Sequence, residues 1–371
     1  MNMKILLVGG GSGGSVSPLL AVRQYIAKHQ PNAEFFFIGT RTGPERAMVK
    51  KENMSFYSVP AGKWRRYFSL INFYDLFVTP FGFFKALHLL KKIRPDVLFS
   101  AGSFVSVPVA YAAYLLKIKI VIHQQDVIPT LSNKLVYPIA DKLTVSLEKS
   151  AKDFYTGSGF FRKLKKTKIV YTGNPIRPEI TSGKINRARE LFNLRSDLPT
   201  LLVLGGGTGS ESLNKIVADA LPDLTKYFQI IHQTGKNKKN KVEARENYFQ
   251  KEFLYPDELP HAIKIADIVI SRAGFSYITE LAACKKVCII IPLPNSHQIY
   301  NAHYLIFQRA AIVAPQEAVT TQTLIATLRK LLFDVEAQKY LKKSISKLMP
   351  RDADKKIGEL IISLCSKHTH L

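Results

Sequence analysis

Cysteine is nearly missing from this chain: Cys284, Cys288 and Cys365 are the only three in 371 residues. A count this small and odd excludes a disulfide framework and fits a reducing compartment. Cys284 and Cys288 stand four apart, but no nearby Cys or His completes a tetrahedral zinc set, so both read as small core residues. Acidic side chains are also scarce, 28 Asp+Glu against 53 Lys+Arg, for a net charge of +25. The excess is uneven. Residues 1–175 hold 25 basic and 9 acidic side chains (+16), and the remainder holds 28 and 19 (+9). Such a chain seeks polyanions: nucleic acid, an anionic membrane surface or phosphorylated ligands. No secretory leader is expected, since the apolar part of MNMKILLVGGG is too short and runs into glycines. Long uncharged runs are few. The one from Val97 to Leu116 is long enough to span a bilayer. Gly102, Pro108 and three serines interrupt it, so it reads as strand, loop and helix of a globular domain.

Apolar residues at 46 % and charged residues at 22 % are those of a globular chain. At roughly 150 residues per domain, two domains are expected. Short runs rich in Val, Ile, Leu and Phe alternate with helical segments. Strands are expected at 4–8, 34–38, 97–100 and 119–123, with a helix at 18–28. The second half repeats the scheme, with strands at 200–204, 228–233, 268–270 and 287–291 and a last helix at 353–364. Residues 235–251 read as a Lys/Asn/Glu-rich surface helix or loop. Tyr171–Pro178 (YTGNPIRP) carries the turn signals of a linker. The fold class is therefore α/β, two doubly wound parallel sheets. One domain is expected over 1–170 and the other over 171–349, with 350–371 packing back on the first.

Each domain opens with a strand that runs into glycines: Gly9-Gly10-Gly11-Ser12-Gly13-Gly14 and Gly205-Gly206-Gly207-Thr208-Gly209. Glycine permits positive φ and close approach of a phosphate, and a following helix aims its N–H groups at an anion. Neither loop closes in Gly-Lys-Ser/Thr, so neither is a Walker A loop. Two such turns point to two half-sites facing one cleft. Asp352-Ala353-Asp354 spells the DxD of metal-dependent glycosyl transfer, but it stands just before the last helix and reads as an N-cap. No metal and no cofactor are expected.

Seven segments, in order along nearly the whole chain, resemble the MurG family of GT-B glycosyltransferases. They are GGSGGSVSP (Gly10–Pro18), RPDVLFSAGSFVSVP (Arg94–Pro108), HQQD (His123–Asp126) with Asn133, GNPIRP (Gly173–Pro178), GGGTGSESLN (Gly205–Asn214) with HQTGK (His232–Lys236), SRAGFSYITELAA (Ser271–Ala283) and HQIYNA (His297–Ala302). The resemblance implies a GT-B fold and an inverting, metal-independent transfer of N-acetylglucosamine from UDP-N-acetylglucosamine to lipid I, the undecaprenyl-diphosphate-linked muramyl peptide. It implies a donor site in the second domain. There Thr208, Gly209 and Ser210 cradle the diphosphate, with Gly207 and Asn214 donor-binding in the same motif, and Glu280 after Gly274 holds the ribose. Arg177 and Gln298 contact the donor, and Phe253 and Leu254 lie by the uracil. It implies an acceptor site in the first domain, at Ser12, Gly13, Gly14, Ser15, Ser103 and Asn133. For Glu280 alone, a solvated helix glutamate is the blander alternative.

The chain departs from the family where the acceptor hydroxyl is activated. The family histidine is Ser15 here, the glutamate of HEQN is Gln124 and its asparagine is Asp126. An inverting transfer needs a base for the acceptor proton. Asp126 and His123 are the candidates, with Ser15 requiring activation by another group. Three readings stay open: an enzyme with a relocated base, a glycolipid synthase with another lipid acceptor, and a non-catalytic nucleotide-sugar-binding protein.

Residues 64–92 (WRRYFSLINFYDLFVTPFGFFKALHLLKK) are dense in aromatics, from Trp64, Tyr67 and Phe68 through Phe73, Tyr74, Phe77, Phe81, Phe83 and Phe84. Lys63, Arg65, Arg66, Lys85, Lys91 and Lys92 flank them. Pro80 and Gly82 are expected to break the segment into two pieces too short to span. An apolar face with basic edges suits an interfacial segment on the anionic cytoplasmic leaflet of the plasma membrane, with core packing as the alternative. The aromatics cluster with aliphatics and not along a basic groove, so nucleic acid is not an expected partner.

Overall fold

The computed structural model describes residues 2–11, 13–43, 45–62, 70–155, 168–207, 209–238 and 245–366, the side chains of 70–77 and 155 excepted. It divides into two compact units, residues 1–177 with 350–371, and residues 178–349.

The first unit is built on β1 (Lys4–Val8), α1 (Ser17–His29), β2 (Glu34–Gly39), α2 (Glu45–Lys51), β3 (Ser55–Ser58), α3 (Leu70–Ile93), β4 (Val97–Ser100), α4 (Ser106–Leu115), β5 (Lys119–Gln124), α5 (Leu131–Val136), β6 (Lys142–Val145), α6 (Glu148–Tyr155) and β7 (Lys168–Tyr171). All strands are parallel, in the order β3-β2-β1-β4-β5-β6-β7. Successive side chains of a strand leave on opposite faces. Accordingly Ile5, Leu7, Val97, Phe99 and Val121 enter one core. Leu6, Val8, Leu98, Ile120 and Ile122 enter the other. Both faces are dry, which is why these strands read as continuous apolar runs.

The second unit contains α7 (Ile185–Phe192), β8 (Thr200–Leu204), α8 (Glu211–Leu224), β9 (Gln229–Gln233), β10 (Tyr248–Lys251), α9 (Leu259–Ile265), β11 (Ile268–Ser271), α10 (Phe275–Ala283), β12 (Val287–Ile290), α11 (Gln298–Phe307), β13 (Ile312–Val313), α12 (Thr321–Phe333) and α13 (Val335–Ile345). Its parallel sheet runs β10-β9-β8-β11-β12-β13. The chain then returns to the first unit as α14 (Ala353–Ser366). There Ile357 and Ile361 are fully buried in the core beneath α1. Burial of each contributes about 1.5–3 kcal/mol. Gly358 admits the ring of Tyr25, whose Cδ1 lies 2.4 Å from where a Cβ would stand.

Two expectations are corrected. Pro80 and Gly82 do not divide the aromatic segment, because α3 is one helix of 24 residues. Pro80 forfeits a single helical hydrogen bond. Gly82 is needed for close approach, since a Cβ would stand 2.0 Å from the carbonyl oxygen of Pro60. Within 235–251, Tyr248–Lys251 is a strand paired with β9. Lys63, Trp64, Arg65, Arg66, Tyr67 and Phe68 lie outside the described residues, as do the side chains of Phe73, Tyr74 and Phe77. Among the described residues no helix is long and apolar enough to cross a membrane.

Each sheet buries one histidine near a strand's carboxyl end. His123 places Nδ1 2.9 Å from Thr144 Oγ1 and Nε2 2.9 Å from Asn174 Oδ1. His232 places Nδ1 3.0 Å from the Tyr248 hydroxyl and Nε2 3.1 Å from Asn214 Oδ1. Burial lowers His123 to about 4 and His232 to about 3. Both are neutral at pH 7 in the folded chain. Below pH ~6.5 the unfolded chain takes up protons that the folded chain refuses. Stability is therefore complete above that pH and declines as pH falls towards 4. The slope approaches about 1.4 kcal/mol per pH unit for each histidine. Urea midpoints at pH 7 and 5 should show this loss, and His123→Gln should flatten it. Equal slopes would remove His123 from the account.

Candidate active site

Parallel strands put all their carboxyl ends on one edge, and ligands bind there beside the point where strand order reverses. In the second unit that point lies between β8 and β11. The loop after β8 is Gly205–Ser210. Gly206 has φ +91° and nothing within 4 Å of a Cβ position, so one side of the loop is open. Gly209 has φ +71° and lies against strand β9's exit, where a Cβ would stand 2.1 Å from Thr234 O. Ser210 caps α8, accepting from Leu213 N at 3.3 Å. The 14-residue helix behind it points its amino end, and its partial positive charge, at the loop.

After β11 comes Arg272, 4 % exposed. Its Nη2 donates to Ser210 Oγ, to Ser212 Oγ at 2.8 Å and to Gln316 Oε1 at 2.7 Å. Its Nη1 donates to Ile291 O at 3.1 Å and Pro292 O at 3.2 Å. Among the described residues every acceptor of Arg272 is neutral. Burial lowers its pKa, yet a guanidinium remains charged in a protein. Among the described residues no carboxylate pairs with this cation, which stands directly behind the serine that caps α8. Gln233 finishes the loop, donating to Gly206 O at 3.1 Å and accepting from Leu254 N at 2.9 Å.

In the first unit, strand order reverses between β1 and β4. The loop after β1 is stitched to itself and to its neighbours. Gly10 N donates to Ser15 Oγ at 3.2 Å, and Gly10 O accepts from Ser15 Oγ and from Ser103 Oγ at 3.1 Å. After β5, Gln124 Nε2 donates to Asp126 O at 3.0 Å and Ile128 O at 2.9 Å. Asn133 Nδ2 donates to His123 O and to Gln124 Oε1. The loop that carries Asp126 is therefore fixed from within, while Asp126 itself is half-buried at the edge.

The sequence-derived site residues fall into two groups. Gly13, Gly14 and Asp126 are partly open at the first edge, and Gly207, Gly209, Phe253, Gly274 and Gln298 are partly open in the second unit. Ser15, Ser103, His123, Asn133, Arg177, Ser210, Asn214, Leu254 and Glu280 are buried. Within that group, both nitrogens of His123 and the hydroxyl of Ser15 are engaged by neighbours. Asn214 ties α8 to the segment after β9 through Thr234 O and Lys238 O, both at 2.9 Å. Glu280, 4 % exposed, is not a solvated helix glutamate. Ser12 and Thr208 lie outside the described residues. Asp352 precedes α14 and pairs with Lys356 at 3.1 Å. Sequence reasoning missed Arg272, Gln233 and Glu45, the last of which holds Gly11. One signal was present: an arginine closing an otherwise apolar strand in IVISRAG.

Two family models match. Residues 5–145 match the glycosyltransferase family 28 N-terminal domain, and residues 200–357 match the C-terminal domain of the same family. The chain is 36 % identical over 341 residues to the UDP-N-acetylglucosamine--N-acetylmuramyl-(pentapeptide) pyrophosphoryl-undecaprenol N-acetylglucosamine transferase 2 of Bacillus thuringiensis subsp. konkukian (strain 97-27), covering 91 % of this chain and 93 % of the relative. It is 37 % identical over 363 residues to the corresponding transferase of Clostridium kluyveri, covering 96 % and 98 %. Among solved structures, the fold is similar to that of Acinetobacter baumannii MurG, with a TM-score of 0.68 at 21 % identity over 98 % of this chain and 100 % of that one. It is equally similar to the S. aureus MnaA–UDP complex, with a TM-score of 0.69 at 12 % identity over 96 % and 94 %. The fold is GT-B, and the chain belongs to glycosyltransferase family 28, in its MurG family.

Proposed function

We propose that this chain transfers N-acetylglucosamine from UDP-N-acetylglucosamine to the 4-hydroxyl of the muramyl sugar of lipid I, making lipid II for peptidoglycan. The observation that carries this reading is the identity of 36–37 % over at least nine-tenths of the chain with transferases of that name. The fold alone would not, since a family of epimerases shares it.

The chemistry follows from the two edges. The acceptor O4 attacks the anomeric carbon as the bond from that carbon to the diphosphate oxygen breaks, with inversion. UDP leaves with the bonding pair. In the second unit the amino end of α8 and the Arg272 guanidinium meet that charge. Ser210 Oγ accepts from both Leu213 N and Arg272, which leaves its own proton for Ser212 or for a phosphate oxygen. Fixed donors and a fixed cation of this kind stabilise a developing anion without a metal. Glu280, Gln298 and the Phe253–Leu254 segment complete the donor side. In the first unit, Gly13 and Gly14 lie along the acceptor, Ser15, Ser103 and Asn133 brace its loops, and Asp126 takes the O4 proton. His123 positions the loop before Asp126, because its nitrogens are spent on Thr144 and Asn174.

The proposed membrane contact lies on α3 and α4. Phe81 is 72 % exposed and Phe84 66 %, and Tyr114 and Leu115 are exposed on the neighbouring helix. Lys85 and Lys117 are exposed beside them in sequence. Apolar side chains with basic neighbours suit the anionic cytoplasmic leaflet, where the lipid acceptor resides.

Three measurements follow. Purified chain with UDP-N-acetylglucosamine and a short-chain lipid I analogue should release UDP and form the disaccharide in EDTA. A strict need for Mg²⁺ would contradict the metal-free mechanism, and no product with or without Mg²⁺ would contradict the reading. Asp126→Asn should lower kcat by about 10²–10⁴-fold with the donor KM little changed; an unaltered kcat would move the base elsewhere. Phe81→Asp with Phe84→Asp should abolish sedimentation with phosphatidylglycerol vesicles, and unchanged sedimentation would remove the docking face.

A further inference from the structure

The first glycine loop already contains an anion of the protein's own. Glu45, the first residue of α2, is completely buried. Gly11 N donates to both of its carboxylate oxygens at 3.3 Å. Thr40 N donates to Oε1 at 2.7 Å, and the Thr40 hydroxyl donates to the same oxygen. The Thr40 Oγ1 in turn accepts from Gly43 N at 3.2 Å. Among the described residues no basic side chain pairs with this carboxylate. Three glycines make room for it. A Cβ on Gly10 would stand 2.4 Å from Oε1, one on Gly43 1.8 Å from Oε2, and one on Gly39 2.8 Å from Cγ. Gly11 itself has φ +81° and lies under the Phe104 ring, 2.9 Å from a would-be Cβ.

A buried carboxylate with only N–H and O–H donors around it is costly to place, and it holds those donors firmly. We infer that Glu45 is the positioning residue for the acceptor: it clamps Gly11, and so sets the shape of the loop from Gly9 to Ser15 that the acceptor meets. This rests on the reading above that the first unit binds the acceptor. The clamp continues into the neighbouring loop, since Gly10 O also accepts from Ser103 after β4. Glu45 touches no reacting atom. Its effect reaches the reaction through the backbone of Gly10 and Gly11.

Glu45→Gln keeps the volume but sets an amide NH₂ against donors, either at Gly11 or at Thr40. The acceptor KM should rise about tenfold, the cost of one hydrogen bond to a charged group. The donor KM should stay within twofold, and Thr40→Val, which leaves the charge in place, should give a smaller rise in the same sense. Amide hydrogen exchange read by mass spectrometry provides a measure that needs no turnover. In Glu45→Gln, exchange should quicken in the peptide holding Gly9–Gly14 and stay unchanged over 205–210. Faster exchange in that peptide with the donor KM raised instead of the acceptor KM would uphold the clamp and overturn the acceptor assignment of the first unit. Unchanged exchange and an unchanged acceptor KM would overturn the inference about Glu45.

Discussion

A charge buried behind a backbone loop must be answered by fixed dipoles, and each glycine loop of this protein is organised around one such charge. In the second unit it is the Arg272 guanidinium, which spends its donors on two hydroxyls, one amide oxygen and two carbonyls. None of these cancels a positive charge. Taking a guanidinium out of water costs several kcal/mol, and neutral acceptors recover part of that. An incoming diphosphate recovers more. On the proposed reading the loop favours an anion, and the buried Ser210, which receives both Arg272 and the first turn of α8, couples the cation to it.

The first unit has the opposite arrangement. Its loop is satisfied from within by a carboxylate, by Ser15 and by Ser103. Two loops that look alike in sequence therefore differ in kind. On the proposed reading one receives a negatively charged leaving group, and the other, hydrogen-bonded from within, is the edge beside which a sugar hydroxyl is placed. Neither loop does both tasks on that reading, and the proton goes to Asp126, the half-buried carboxylate on the loop after β5.

Much of this was legible in the sequence. The doubly buried strands β1, β4, β5 and β8 are apolar at nearly every position, so their bounds were readable to within a residue. The glycine loops were marked by composition. The short strands β3, β6, β7, β10 and β13 were not readable, because four residues or fewer with mixed polarity carry little periodic signal. Pro80 misled in α3, since packing of Gly82 on Pro60 offsets one lost hydrogen bond. The buried charges were hidden for a different reason. Glu45 lies thirty-four residues from Gly11, and Arg272 sixty-two from Ser210, so only the parallel sheet brings each to its loop. A solvated helix glutamate was the blander alternative for Glu280; its burial comes from tertiary packing of α10, which meets α13.

We propose that the nucleotide diphosphate binds the loop backed by a cation and not the loop already filled by an anion. A crystal structure of the full chain with UDP tests it most directly. The diphosphate is expected against Gly206–Ser210 and the amino end of α8, with the ribose hydroxyls on Glu280 and the first loop unchanged. Density for the diphosphate at Gly9–Ser15, with Glu45 displaced, would contradict it.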